Sequence, residues 1–74
     1  MSDVIGSTIR LVVNGKAKEI PGGQTVEAFI SSLGLDAART LVELDGEPLE
    51  RRRFGDTKLA PGARLEIAQM VGGG

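Results

Sequence analysis

The sequence of 74 residues contains no cysteine, histidine, tryptophan or tyrosine. Without cysteine the chain has no disulfide, no thiol nucleophile and no soft-metal ligand, and without histidine it lacks the commonest general base and metal ligand. Only Phe29 and Phe54 could stack on bases, and the net charge of −1 offers little attraction to phosphates. These absences disfavour catalysis by the chain itself, a resident metal and a nucleic-acid partner.

Long hydrophobic runs are also missing. No segment is apolar for long enough to span a bilayer, and residues 1–7 have neither the basic region nor the apolar stretch of a signal peptide. We therefore expect a cytoplasmic protein without a membrane partner. The length suits one domain with a compact core, preceded by a flexible leader over residues 1–7, which are largely small and polar.

The first third of the sequence predicts a β-hairpin. From Thr8 to Val13 apolar side chains alternate, which places Ile9, Leu11 and Val13 on one face of a strand. The pair Asn14-Gly15 favours the positive φ values of a tight hairpin turn. The return strand is predicted over residues 16–20. Its register stays open, because a longer loop would move Ala17 or Ile20 to the other face.

One helix is predicted after the turn at residues 21–23. The Thr25 hydroxyl can cap its N-terminus, and apolar residues then recur at the i, i+3, i+4 and i+7 positions of one helical stripe. The stripe consists of Val26, Phe29, Ile30 and Leu33. Gly34 suits the left-handed conformation just past the helix end, and Leu35 can close this cap by packing back.

The second half predicts further strands. A third strand covers residues 41–44 and precedes the turn pair Asp45-Gly46. Pro48 cannot donate a ladder hydrogen bond, so the next strand is expected to be short or at an edge. Residues 51–56 are predicted as a loop or a short helical turn anchored by Phe54. The last strand is predicted over residues 64–70, with Leu65 and Ile67 facing inward.

The order of elements indicates an α+β fold. A helix lying across one face of a mixed sheet is the simplest way to bury the apolar stripe against Ile9, Leu11, Leu65 and Ile67. This arrangement is the β-grasp, the fold of ubiquitin. We predict a β-grasp domain over residues 8–71 and a flexible glycine tail over residues 72–74.

The ending Val71-Gly72-Gly73-Gly74 is the most unusual feature of the sequence. Three glycines contribute almost nothing to a folded core, because they have no side chains and a high ordering entropy. They can form a thin arm that carries a carboxylate into a narrow channel. A disordered end or a cloning remnant are the alternatives. The glycines follow the last predicted strand directly, which favours the functional interpretation.

Ala68 and Met70 are expected to point away from the core, because Leu65 and Ile67 point into it. An outward Met70 beside Val71 is either an incidental exposed residue or part of an apolar partner surface, and methionine adapts to several partners. Its position next to the tail favours a partner surface.

Three other patterns have simpler structural explanations. Residues 21–25 could suggest a phosphate cradle before a helix, but they lack the lysine and the glycine spacing of a P-loop. The run Arg51-Arg52-Arg53 is expected to be a solvated face or a docking charge, offset by nearby acidic residues. Those acidic residues match no EF-hand spacing.

The chain resembles the ThiS family of sulfur carriers in thiamine biosynthesis over about residues 8–74. The resemblance rests on VELDGE (42–47) and LEIAQMVGGG (65–74), with Arg51, Phe54, Leu59 and Gly62 between them. VNGK (13–16) and GQTV (23–26) extend it to the front half, and the Gln-x-Val-Gly-Gly-Gly ending is its most specific part. Residues 1–7 are an extension relative to the family, and Pro48 and Glu50 depart from its usual pattern near the fourth strand.

The resemblance implies a carrier and not an enzyme. An adenylating enzyme of the ThiF type, using its own ATP and magnesium, would activate the Gly74 carboxylate. A sulfur donor such as a cysteine desulfurase would then convert it to a thiocarboxylate, and a thiazole synthase of the ThiG type would use that sulfur. Gly73 and Gly72 would thread the partner's active site, while Val71, Met70 and Ala68 dock beside its entrance. The absence of cysteine agrees with a carrier group at the C-terminus.

Other functions remain open on the sequence alone. The chain could carry sulfur for molybdopterin, cysteine synthesis or tRNA thiolation, although a molybdopterin carrier usually has a proline-containing segment before its Gly-Gly end. It could also be a ubiquitin-like protein modifier, because both classes begin with the same adenylation. A β-grasp RNA-binding or regulatory domain would not need a free glycine tail.

Overall fold

The computed structural model describes residues 7–71, so residues 1–6 and 72–74 lie outside the account that follows. Five strands form one mixed sheet in the order β2-β1-β5-β3-β4, and β1 and β5 are parallel neighbours. The strands are β1 Thr8–Val13, β2 Lys16–Pro21, β3 Thr40–Leu44, β4 Glu47–Leu49 and β5 Arg64–Gln69, and the helix α1 is Val26–Ser32. Two short 3-10 turns, Ala37–Arg39 and Arg51–Arg53, precede β3 and follow β4. The β-grasp prediction is confirmed.

The first hairpin has a two-residue turn. Asn14 and Gly15 take φ values of 51° and 82°, as a tight turn that matches the strand twist requires. The turn pairs Val13 with Lys16 and Ile9 with Ile20, which settles the register that the sequence left open. Ile20 is buried on the core face, whereas Ala17 is exposed on the other face.

Helix α1 has both predicted caps. The Thr25 hydroxyl oxygen accepts a hydrogen bond from the Ala28 amide at 3.1 Å. At the other end Gly34 has a φ of 78°, its amide donates to Ser31 and the Leu35 amide donates to Ile30. These two bonds form a Schellman motif, which satisfies carbonyl groups that the last turn would otherwise leave unpaired.

The predicted burial of the helical stripe is confirmed for three of its four residues. Val26, Phe29 and Ile30 are at most 1% exposed. The prediction that Leu33 is buried is wrong, because this residue is the C-cap and is 39% exposed. The side chains near Leu33 include Val13 on β1 and Lys16 and Lys18 on β2, and the lysines keep their charged ends in water and cover Leu33 only in part.

The core lies between α1 and the inner face of the sheet. Leu11 on β1 and Leu65 on β5 are fully buried, and Phe54 and Leu59 close the core from the loop after β4. Ile9 and Ile67 pack against the core and are partly buried. Each fully buried large apolar side chain contributes about 1.5–3 kcal/mol, so these residues account for most of the stability of such a small domain.

The second half agrees with the predicted elements within one residue at their ends. Strand β3 starts at Thr40, and β4 is a three-residue edge strand that contains Pro48. Phe54 is 2% exposed and anchors the segment after the turn Arg51–Arg53. Strand β5 ends at Gln69, although the Met70 amide still donates to the Arg39 carbonyl at 2.8 Å.

The predicted leader and tail fall mostly outside the described residues. Ser7 is described, and its carbonyl accepts a hydrogen bond from the Gly22 amide at 3.1 Å, so this residue joins the first hairpin. The boundaries at residues 8 and 71 stay predictions. Within residues 7–71 the α-helix spans seven residues, too short to cross a bilayer.

Candidate functional site

The end of β5 presents apolar side chains to solvent. Pairing of β5 with β3 aligns Ala68 with Leu41 and Ile67 with Val42. Since Val42 and Ile67 pack in or against the core, their neighbours Leu41 and Ala68 face the other side of the sheet. Met70 continues this outer row and is 42% exposed, and the next residue, Val71, is 85% exposed. The predicted outward orientation of Ala68 and Met70 is confirmed.

Leu41 completes this surface, and sequence reasoning did not identify it. It is 54% exposed, the largest fraction for any large apolar side chain within the sheet strands. Leu41 begins the predicted strand 41–44 and shares a strand face with Glu43, so alternation was a signal for its outward position, whereas its place beside Ala68 depends on the register with β5. We refer to Leu41, Ala68, Met70 and Val71 as the apolar patch.

Charged residues surround the apolar patch. Glu43 and Glu66 are aligned across β3 and β5 on the same outer face, one step from Leu41 and Ala68. Arg39 lies at the other side, opposite Met70. A groove of about 740 Å³ runs along β3, β4 and β5, and its lining includes Leu41, Ala68 and both glutamates. An apolar centre with a charged rim is the usual composition of a protein-binding surface.

The strand that leads to the tail is held on both sides. On the β3 side its last backbone bond joins Met70 to Arg39. On the β1 side the ladder pairs only Val12 with Arg64 and Val13 with Leu65. Beyond this point the carboxamide of Asn14 replaces the backbone. Its oxygen accepts from the Ile67 amide at 2.7 Å and its nitrogen donates to the Ile67 carbonyl at 3.2 Å.

The helix start after residues 21–25 and the arginine run 51–53 both make hydrogen bonds within the fold. At the start of α1 the amides of Val26, Glu27 and Ala28 donate to Thr57, Phe54 and the Thr25 hydroxyl. These donors are used within the fold, which supports a helix cap and not a phosphate cradle. Arg52 pairs with Glu50 at 3.0 Å, and Arg51 donates to the Ala37 carbonyl at 2.9 Å. The arginine run lies on an exposed face.

The predicted site residues divide into two groups. Ala68, Met70 and Val71 lie together at the exposed end of β5. Gly72, Gly73 and Gly74 lie outside the described residues. The part of the site that the structure describes is therefore the base of the tail and the apolar patch beside it. Within residues 7–71 no group of three or more histidine, cysteine, aspartate or glutamate side chains could hold a metal ion.

The fold and this end of β5 define a class: small β-grasp proteins of the ubiquitin-like type with a glycine ending. Comparison with known families narrows the class, because the sequence model of the ThiS family matches residues 11–74, including all three final glycines. The chain belongs to the ThiS family.

Solved structures of a relative agree with this family. The crystal structure of the thiamine biosynthesis protein ThiS from Geobacter metallireducens is 36% identical to this chain, with a TM-score of 0.75. The match covers 89% of this chain and 100% of that chain. The solution structure of a thiamine biosynthesis protein from the same organism is also 36% identical, with a TM-score of 0.73. This match covers 89% of the present chain and 88% of that chain.

A curated relative is considerably longer. The thiazole synthase of Paramagnetospirillum magneticum is 32% identical over 66 residues, which are 89% of this chain and 20% of that protein. The chain thus spans about a fifth of the length of the relative it matches.

Proposed function

We propose that the carboxylate of Gly74 is the sulfur-carrying group, activated as an adenylate and converted to a thiocarboxylate for thiazole formation. The observation that carries this proposal is the family match, which runs through the apolar patch and ends on Gly74. Gly74 is then a substrate group and the chain is not itself a catalyst.

The chemistry requires a partner enzyme. A carboxylate is a poor acyl donor, so one of its oxygens first attacks the α-phosphorus of ATP, and pyrophosphate leaves. The resulting acyl adenylate has AMP as a leaving group. A hydrosulfide-level sulfur donor attacks the carbonyl carbon, AMP departs, and the terminal group becomes a thiocarboxylate. We assign ATP and its magnesium to a ThiF-type adenylating enzyme, and the sulfur to a donor such as a cysteine desulfurase. A desulfurase carries its sulfur as a persulfide, so attack by that sulfur would displace AMP to give an acyl disulfide, and a thiol reductant would then cleave the S–S bond to release the thiocarboxylate.

The apolar patch supplies the docking surface in this proposal. Leu41, Ala68 and Met70 are exposed on the same face and lie next to the base of the tail. A partner that covers this patch holds the chain while Gly72 and Gly73 thread the active site, since glycines lack the side chains that would obstruct a narrow channel. Glu43, Glu66 and Arg39 orient the encounter from the rim.

The thiazole synthase relative supports the proposed acceptor. That protein contains a stretch similar to nearly all of this chain, and this stretch is 20% of its length. A carrier-like stretch in the same chain as the synthase is the arrangement expected when one acts on the product of the other. We therefore propose a ThiG-type thiazole synthase as the partner that consumes the thiocarboxylate.

Intact-mass measurement tests the proposal. The chain is incubated with its cognate adenylating enzyme, ATP, magnesium and sulfide, and we expect a mass increase matching the replacement of one oxygen by one sulfur. Deletion of Gly74 should abolish the shift. Gly73→Val keeps the length and the terminal carboxylate but adds a side chain to the thread, so this variant should react much more slowly.

Two outcomes would contradict the proposal. Covalent adducts through Gly74 to lysines of other proteins, without a thiocarboxylate, would identify a protein modifier. No product from an enzyme that demonstrably activates another ThiS-family carrier would remove the carrier role. If the thiocarboxylate forms but thiazole synthase does not consume it, the carrier role stands and the acceptor is wrong.

A further inference from the structure

The structure assigns Asn14 a second role beyond its turn: its carboxamide fixes the end of β5, and thereby the point beside the apolar patch at which the strand leads into the tail. This inference rests on the proposed function, because it concerns how the tail and the patch are presented together. Asn14 is a positioning residue and does not contact the reacting carboxylate.

The Asn14 side chain makes two hydrogen bonds to one residue of β5. Asn14 and Ile67 are 53 residues apart in sequence, and the carboxamide makes both a donor and an acceptor bond to the Ile67 backbone. An amide side chain that accepts from N–H and donates to C=O of one residue reproduces the pairing of a neighbouring strand. Asn14 thus extends the β1–β5 ladder past Leu65, where the β1 backbone turns away.

The position of this contact gives it a functional consequence. Ile67 is two residues before the end of β5 and three before Met70, so the Asn14 contact lies at the base of the exposed segment. Without it, β5 beyond Leu65 is bonded to the β3 side alone. The end of the strand could then twist relative to Leu41, which is carried by β3.

In the proposed function a partner enzyme binds the chain at two places, the apolar patch and the glycine tail. A partner that docks on Leu41 and Ala68 raises the effective concentration of the tail at its active site only if the tail leaves from a fixed place. A looser end of β5 spreads the tail over more positions and lowers that effective concentration. The loss is expected in KM for the carrier, with kcat nearly unchanged once the tail is bound.

The second hairpin provides a matched control. Asp45 is the first residue of its turn with a φ of 52°, close to the 51° of Asn14, and its carboxylate accepts from the Arg64 amide at 3.0 Å. This contact holds the start of β5, six residues before Met70. Glycine is compatible with positive φ at both turns, so Asn14→Gly and Asp45→Gly each remove a side-chain contact to β5 without straining the turn.

Steady-state adenylation by the partner enzyme and amide hydrogen exchange test the role. For Asn14→Gly we expect Ile67 to exchange about tenfold faster and KM to rise about five- to tenfold, the size expected for loss of one or two hydrogen bonds. For Asp45→Gly we expect faster exchange at Arg64 and an unchanged KM. Both assays are run well below the unfolding temperatures of the variants.

The outcomes are distinguishable. An unchanged KM for Asn14→Gly, or an equal rise for both variants, would overturn the positioning role. Unchanged exchange at Ile67 would overturn the contact itself, independently of any enzyme. If the wild-type chain is not adenylated, the proposed function fails and the positioning role fails with it, whereas the exchange result still reports on the Asn14 contact.

Discussion

The two faces of the sheet differ in what covers their apolar side chains. On the inner face Leu11 and Leu65 are fully buried beneath α1. On the outer face Leu41 lies on β3 and Met70 directly follows β5, the neighbouring strand. These two side chains are 54% and 42% exposed. The inner face stabilises the fold, and we propose that the outer face binds a partner. One strand therefore serves both purposes through alternate residues.

The largest expected effect is on the inner face. Phe29→Ala removes an aromatic side chain that is 1% exposed at the centre of the core. Loss of buried surface and the cavity left behind should lower the free energy of unfolding by about 3–5 kcal/mol, much of the stability of a domain this small. Urea denaturation measures the change. A loss below about 1 kcal/mol would contradict the assignment of Phe29 to the core.

An outer-face substitution should separate docking from stability. Leu41→Thr removes an exposed apolar side chain but keeps a good strand former, so stability should change little. Docking should weaken, and kcat/KM for adenylation should fall about tenfold, equivalent to about 1.4 kcal/mol.

Leu33→Thr is the matched control for that substitution. Leu33 is also an exposed leucine, but it lies at the end of α1, away from the outer face. Its replacement should leave kcat/KM unchanged. Equal losses in the two variants would show that general surface hydrophobicity matters and that the apolar patch has no special role.

Substitutions of Leu33 and Ile30 compare the exposed end of the helical stripe with its buried part. Because Leu33 is 39% exposed, Leu33→Ala should cost about 1 kcal/mol or less, whereas Ile30→Ala, at 1% exposure, should cost about 2–5 kcal/mol. Thermal and urea unfolding of both variants measure the contrast. Similar costs would mean that Leu33 is covered in solution.

The smallest expected effect concerns the arginine run. Arg52 and Glu50 are paired at 3.0 Å, but their side chains are 80% and 66% exposed. Such pairs are screened by solvent, so Glu50→Gln should change the free energy of unfolding by less than about 0.5 kcal/mol. A larger loss at high salt concentration, where screening is strongest, would require a structural role for Glu50 other than the ion pair.

The sequence predicted local structure well at positions where the residue type strongly favours one conformation. Asn14-Gly15 predicted the first turn, Thr25 and Gly34 predicted the helix caps, and Pro48 predicted a short edge strand. All are confirmed. In each case the deciding interaction lies within a few residues along the chain, so local chemistry was sufficient.

Local patterning failed where a contact comes from elsewhere in the chain. The helical period placed Leu33 in the core, but burial depends on what lies beneath it, and Lys16 and Lys18 lie near it. The place of Leu41 beside Ala68 depends on the register of β3 with β5. The contact of Asn14 with Ile67 spans 53 residues, and nothing in an Asn-Gly turn signal specifies it.

The sequence by itself determined the class of fold, the order of its elements and the glycine ending that the family match includes. Periodicity, turn residues and caps are encoded locally and can be read without coordinates. Only the tertiary structure decided which residues meet beside the end of β5: Leu41 next to Ala68, Arg39 bonded to Met70, and Asn14 bonded to Ile67. The physical reason is that strand register and sheet order bring distant segments together, and no short segment of sequence contains both partners.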